Sequence, residues 1–134
     1  MRRSIPMSVL LVAMALVGGC SRSKYEQMQE EQLELLRQLN DTLEGVTAKD
    51  SLRQALPAIR EARRKLLEKI AEREELGEPA PEVASELKED FKDALAEENA
   101  RYGRQMRRIA ELVKDDEGLR KELSEAMKGL PPEF

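Results

Sequence analysis

Apolar residues recur at three- and four-residue intervals from residue 25 to the end of the chain, the spacing of amphipathic helices. In the first stretch Tyr25, Met28, Leu36, Leu39, Leu43 and Val46 form the stripe, with Leu33 and Leu35 beside it. Gly45 stands where a helix would stop, and Thr47 with Asp50 three residues on reads as the capping box of the next. The second stripe is Leu52, Ala55, Leu56, Ile59, Ala62, Leu66 and Ile70. Pro57 lies inside it, so either a kink there or a helix start nearer Pro57 is expected. Gly77-Glu78-Pro79-Ala80-Pro81 breaks the pattern, with Pro81 placed to open a third helix. That helix is expected from Pro81 to Lys114, near 50 Å long at 1.5 Å per residue. Its stripe is Val83, Leu87, Phe91, Leu95, Tyr102, Met106, Ile109 and Val113. Asp115 or Asp116 caps a short fourth helix carrying Leu119, Leu123, Ala126 and Met127, and Gly129-Leu130-Pro131-Pro132 ends it. The pattern predicts an all-α fold: an antiparallel three-helix bundle of long helices plus a short C-terminal helix.

Two positions break the third stripe. Asn99 stands where an apolar residue is expected, and is read as the boundary of the face in preference to a buried register-fixing amide. Gly103 costs about 1 kcal/mol against Ala in mid-helix, which close helix approach or a bend would explain. Charge suggests how the second and third helices meet. If they are adjacent and antiparallel, facing residue numbers sum to roughly 159, which sets Lys69 against Asp90 and Arg73 against Glu86. Such pairs contribute about 0–1 kcal/mol each, so they would set register more than stability.

Ahead of the helices lies a different pattern. Met1-Arg2-Arg3 is followed by an apolar run from Met7 to Val17 and then Gly18-Gly19-Cys20. A basic start, about eleven apolar residues and small residues at the end match a signal peptide, and the run falls short of the roughly 20 residues of a membrane-spanning helix. Val17-Gly18-Gly19-Cys20, preceded by Leu16, resembles the lipobox of bacterial lipoproteins. The resemblance implies cleavage between Gly19 and Cys20 and lipid on the Cys20 thiol and amine. Two or three acyl chains anchor stably where one binds only marginally. It also implies a place in the cell envelope, and Ser21, where an Asp would favour the inner membrane, points to the outer membrane facing the periplasm if there are two membranes. The expected organisation is a signal peptide over 1–19, lipidated Cys20 and a short tether over 20–24, the helical domain over 25–130 and a tail over 131–134. Thr47-Ala48-Lys49-Asp50-Ser51-Leu52-Arg53-Gln54-Ala55-Leu56-Pro57 is similar to a segment of small uncharacterised exported helical proteins, which brings no activity with it. The abundant murein-linked lipoprotein is a short coiled coil ending in a Lys. This chain ends Pro131-Pro132-Glu133-Phe134, so wall attachment by that route is not expected.

Composition narrows the chemistry. Without residues 1–19 the chain keeps all 27 acidic residues and loses Arg2 and Arg3, leaving 21 basic ones and a formal charge of −6. An acidic domain is a poor match for nucleic acid, which demands a concentrated basic face. There is no His, so Ser–His and Cys–His nucleophiles and His-ligated metals are excluded. With no Trp, two Tyr and two Phe there is little to build a stacking platform for sugars or bases. Cys20 is the one cysteine, so no internal disulfide forms. The stripe Glu86, Asp90, Asp93 and Glu97 projects in parallel from one helix and reads as solvated and interhelical charge, not as a calcium site. Arg101, Arg104 and Arg108 share a helix face and are the candidate interaction surface for anionic lipid or an acidic partner. No catalytic residue, metal or cofactor beyond the lipid is expected. The chain therefore reads as a non-enzymatic, membrane-anchored structural or protein-binding module, with a protein partner or self-association. The alternative is a small-ligand or metal-binding lipoprotein that uses the bundle interior.

Overall fold

The computed structural model describes the backbone from Ile5 and the side chains from Arg22 to Phe134. Four helices follow one another: α1 (Ile5–Glu44), α2 (Lys49–Leu76), α3 (Pro81–Val113) and α4 (Glu117–Ala126), with no strand among the described residues. No helix among them is long and apolar enough to cross a membrane. The cleavage and lipidation site expected at Gly19 and Cys20 lies outside the residues whose side chains are described.

Local signals set the helix ends. α1 stops at Glu44, with Gly45 next, and α3 opens on Pro81, whose missing N–H costs nothing in a first turn. The Asp116 carboxylate accepts the Leu119 N–H at 3.0 Å and caps α4. The start of α2 differs by one residue from the expected capping box. Ala48 is the cap, and the Ser51 hydroxyl accepts the N–H groups of both Thr47 and Ala48 at 2.9 Å. Asp50 turns instead to Arg53 at 2.8 Å. α2 begins at Lys49 and runs on through Pro57, whose exposed ring lies on the solvent side, so a start nearer Pro57 is excluded. Arg22, Ser23 and Lys24, expected as an extended tether, are part of α1.

The arrangement centres on α1. It packs against both α2 and α3, whereas α2 and α3 scarcely touch, and α4 leans on both of them. Along α1 and α2 the partners run in opposite senses: Tyr25 donates its hydroxyl to the carbonyls of Leu76 (3.2 Å) and Gly77 (3.1 Å), and Glu31 meets Lys69. Along α1 and α3 they rise together, from Arg22 with Asp90 (3.7 Å) to Asn40 with Glu98 and Asp41 with Arg101. The charge register expected between α2 and α3 therefore does not form. Lys69 is held by Glu31 and Glu72, and Glu86 and Asp90 are met by Arg22. Weak exposed ion pairs follow the packing and do not direct it. The wide apolar surface of α1, with Leu33, Leu36, Leu39 and Leu43 all buried, can be covered only by two helices, one on each flank.

The core is concentrated in one half of the molecule. Leu36, Leu39, Leu43 and Val46 of the first segment meet Leu52, Ile59 and Leu66 of α2 and Ile109 and Val113 of α3. Leu119, Leu123, Ala126 and Met127 close that half. Toward the turn between α2 and α3 the stripe is only partly covered: Leu87 is buried, but Val83, Phe91, Leu95 and Ile70 are half-exposed. The cause is length. α4 has 10 residues, against 28 in α2 and 33 in α3, so it fills the gap between them at one end only.

Gly103 serves no close approach. A Cβ there would meet only the tip of the Arg107 side chain of its own helix, at 3.3 Å. Gly103→Ala is expected to raise stability by about 0.5–1 kcal/mol through helix propensity, measured as a higher urea midpoint with an unchanged slope.

Candidate functional site

The three arginines of the candidate interaction face have different fates. Arg101 lies across the α1–α3 seam, its side chain 18% exposed. Its guanidinium grips Glu44 side-on, with Nε to Oε1 at 2.9 Å and Nη2 to Oε2 at 2.7 Å. It also reaches Asp41 at 2.5 Å and Glu98 at 3.2 Å. The hydrogen bond from Arg101 holds the Glu44 carboxyl below its usual range, and Glu44 and Asp41 in turn raise the guanidinium above its ordinary value. Arg108 donates to the carbonyls of Val46 and Leu43, the latter at 2.8 Å, and so satisfies the open end of α1. Arg104 and Arg108 are both exposed and without an ion pair among the described residues, but Arg104 alone of the three makes no side-chain hydrogen bond there either. Of the three cations only Arg101 is neutralised by carboxylates, while Arg101 and Arg108 both also tie α3 to the end of α1.

Beneath Arg101 lies a polar pocket of the core that the stripe did not reveal. Asn40 is fully buried and donates from Nδ2 to the Glu98 carbonyl at 3.0 Å, while its Oδ1 has no partner. Glu98 and Gln32 are buried as well. The sign in the sequence was their spacing: Gln32, Leu36, Asn40 and Leu43 follow one another at three or four residues, so both polar residues sit on the apolar face.

A concave feature lies at the other end, where α4 no longer fills the gap. A cleft of about 520 Å³ opens between α1, α3 and the chain's last residues, reaching the end of α2. Tyr25 and Met28 contribute from α1, and Leu87, Phe91 and Leu95 from α3. Phe134 and the Glu78-Pro79 turn also line it. Phe134 is fastened there by Asn99, which donates to its carbonyl oxygen and accepts its N–H, both at 2.8 Å. Its ring stands edge-on to Tyr102, centroids 5.6 Å apart. Asn99 is thus neither a register-fixing amide between helices nor an idle boundary residue: it clamps the tail. Arg73, Lys88 and Lys92 bring positive charge to the cleft, with Glu78 and Glu133 opposed. Lys88 and Lys92 are one helical turn apart on the face of α3 that lines it.

The acidic stripe expected on α3 divides in the same way. Glu86 and Asp90 are engaged by Arg22, next to the start of the described side chains. No three Asp or Glu converge in a ligating group among the described residues. No known protein family matches the chain, and no curated protein or solved structure matches it.

Proposed function

We propose that this chain is a lipoprotein of the bacterial envelope, cleaved between Gly19 and Cys20 and anchored by lipid on Cys20. Its helical domain acts as a structural or protein-binding module, without catalysis, cofactor or metal. The observation that carries the reading is Val17-Gly18-Gly19-Cys20 at the end of a basic-then-apolar segment. The fold agrees in one respect: Arg22 already pairs with α3, so the packed domain begins two residues after Cys20 and would stand directly on the headgroups. In this reading the domain is an antiparallel bundle of α1, α2 and α3, with α4 as a partial fourth member. Support comes from the opposite running of partners along α1 and α2, and from α4 bridging α2 and α3. Ser21 favours the outer membrane facing the periplasm, and the partner is a protein or a second copy. A second reading, a small-ligand lipoprotein, is favoured by the cleft, whose volume lies within the roughly 300–1,000 Å³ of ligand pockets.

Intact mass of the protein from its native membrane, beside Cys20→Ala, tests the anchor. The expected result is loss of residues 1–19 and added diacylglycerol and acyl mass at Cys20, with Cys20→Ala unmodified and released from the membrane fraction. An unmodified Cys20 in the parent protein would overturn the reading.

A further inference from the structure

We infer that the α2–α3 turn, Gly77-Glu78-Pro79-Ala80-Pro81, is the surface by which the domain rests on the membrane, and that it takes zwitterionic in preference to anionic headgroups. The inference rests on the anchor reading above, in that the chain must meet the membrane at Cys20. Reach argues first. Arg22 is two residues on from Cys20, a span of at most about 7 Å in any conformation. The headgroup layer on each side of a bilayer is about 5–7 Å deep, so Arg22 is held within it or just above it. Arg22 is itself fixed, since its guanidinium pairs with Glu86 and Asp90 of α3. Because α1 and α3 run in the same sense, residues 81–85 lie on the anchor side of that pair, over roughly 7 Å of helix. A second tie agrees. Helical side chains lean toward the N-terminus, and the Tyr25 hydroxyl donates to the carbonyls of Leu76 at 3.2 Å and Gly77 at 3.1 Å. The end of α2 is thereby drawn to the anchor side of Tyr25. One tie holds the start of α3 and the other the end of α2, and both set the turn level with Cys20.

Chemistry argues second. Gly77, Glu78, Ala80 and Pro81 are exposed and stand outside the core. Pro79 and Pro81 have no N–H, so the turn meets the interface with two donors fewer to keep hydrated. Glu74, Glu75, Glu78 and Glu82 surround it, all exposed and without an ion pair among the described residues. No Lys or Arg lies between residues 74 and 82. Within a screening length of about 8–10 Å, such a surface is repelled by anionic headgroups and tolerated by zwitterionic ones. The anchor supplies the proximity that these side chains by themselves do not. With the turn on the membrane, α1 rises over roughly 33 Å from Arg22 to Glu44 and carries the start of α2 outward.

The chain has no Trp, so one introduced ring reports alone. Ala80→Trp and Glu78→Trp place it at exposed positions of the turn, and Gln54→Trp at an exposed position near the far end of the domain. Each variant is taken with its anchor from the native membrane and reconstituted in phosphatidylcholine vesicles, with and without a lipid that carries a nitroxide on its headgroup. Far-ultraviolet circular dichroism checks that each is folded. Quenching of Ala80→Trp and Glu78→Trp is expected to exceed that of Gln54→Trp several-fold. Gln54→Trp controls for the ring's own preference for the interface. Phosphatidylglycerol at low salt should reduce quenching at the turn. The reduction should shrink when Glu74→Gln and Glu75→Gln are added to Ala80→Trp. Equal quenching at both ends would mean that the domain lies along the surface, and overturns the proposal. So does an unquenched turn, which would mean that the domain stands off, or a turn whose quenching rises with phosphatidylglycerol. The intact mass of the same sample reports Cys20 separately. A lipidated Cys20 with an unquenched turn removes the contact and keeps the anchor, whereas an unmodified Cys20 removes the anchor whatever the turn does.

Discussion

Leu39→Ala is expected to destabilise the domain by about 3–5 kcal/mol, while Phe91→Ala costs no more than about 1.5 kcal/mol. Both remove large apolar side chains from long helices, and the difference lies in where the core is. Leu39 is completely buried in α1, the one helix that packs on both long neighbours. Truncating it forfeits the transfer energy of its methyl groups and leaves a cavity that rigid neighbours on two sides cannot close. Phe91 is half-exposed beside the cleft, where water already reaches one face of the ring. Urea denaturation, followed by far-ultraviolet circular dichroism, measures both. Equal losses would mean that the core extends evenly to the α2–α3 turn, against the packing described above.

Arg101→Met is expected to cost about 2–4 kcal/mol, and Arg104→Met less than about 0.5 kcal/mol. The two arginines lie one turn apart on α3 and look equivalent in sequence. Removing Arg101 strips the counter-charge from Asp41, Glu44 and Glu98 at once. Glu98 suffers most, because its side chain is only 9% exposed and water cannot replace the lost partner. Asp41 and Glu44 are largely solvated and contribute less. Replacing Glu98 by Met in the same chain should restore part of the loss, since an apolar pair leaves no uncompensated buried charge. A double variant no better than Arg101→Met would place the loss in the arginine's contacts with Asp41 and Glu44 alone. Equal small effects from Arg101→Met and Arg104→Met would make Arg101 an ordinary surface cation.

The fold class and most helix ends were legible from residue order, because they rest on neighbours within a turn or two. The 3.6-residue stripes, Gly45 after α1, Pro81 opening α3 and Asp116 capping α4 each act through local backbone geometry. Even the one-residue shift at the start of α2 was a choice between adjacent hydroxyl and carboxylate acceptors, Ser51 prevailing over Asp50. The proposed export signal is of the same kind, a short linear pattern carried by residues 1–20 alone. Helix pairing is not. Lys69 finds a carboxylate equally well on α1 or α3, and exposed pairs are too weak to decide between them. Burial of the wide α1 face decided it, by setting α1 between α2 and α3. With that choice Arg101 and Arg108 became fastenings between α3 and the end of α1, Asn40 and Glu98 were enclosed, and the gap left beyond α4 became a cleft lined in part by Asn99 and Phe134. Sequence by itself determined which segments are helical and which face of each is apolar. Tertiary structure alone decided which faces meet and where a space remains, because those outcomes depend on the summed burial of several helices of unequal length and not on any local run of residues.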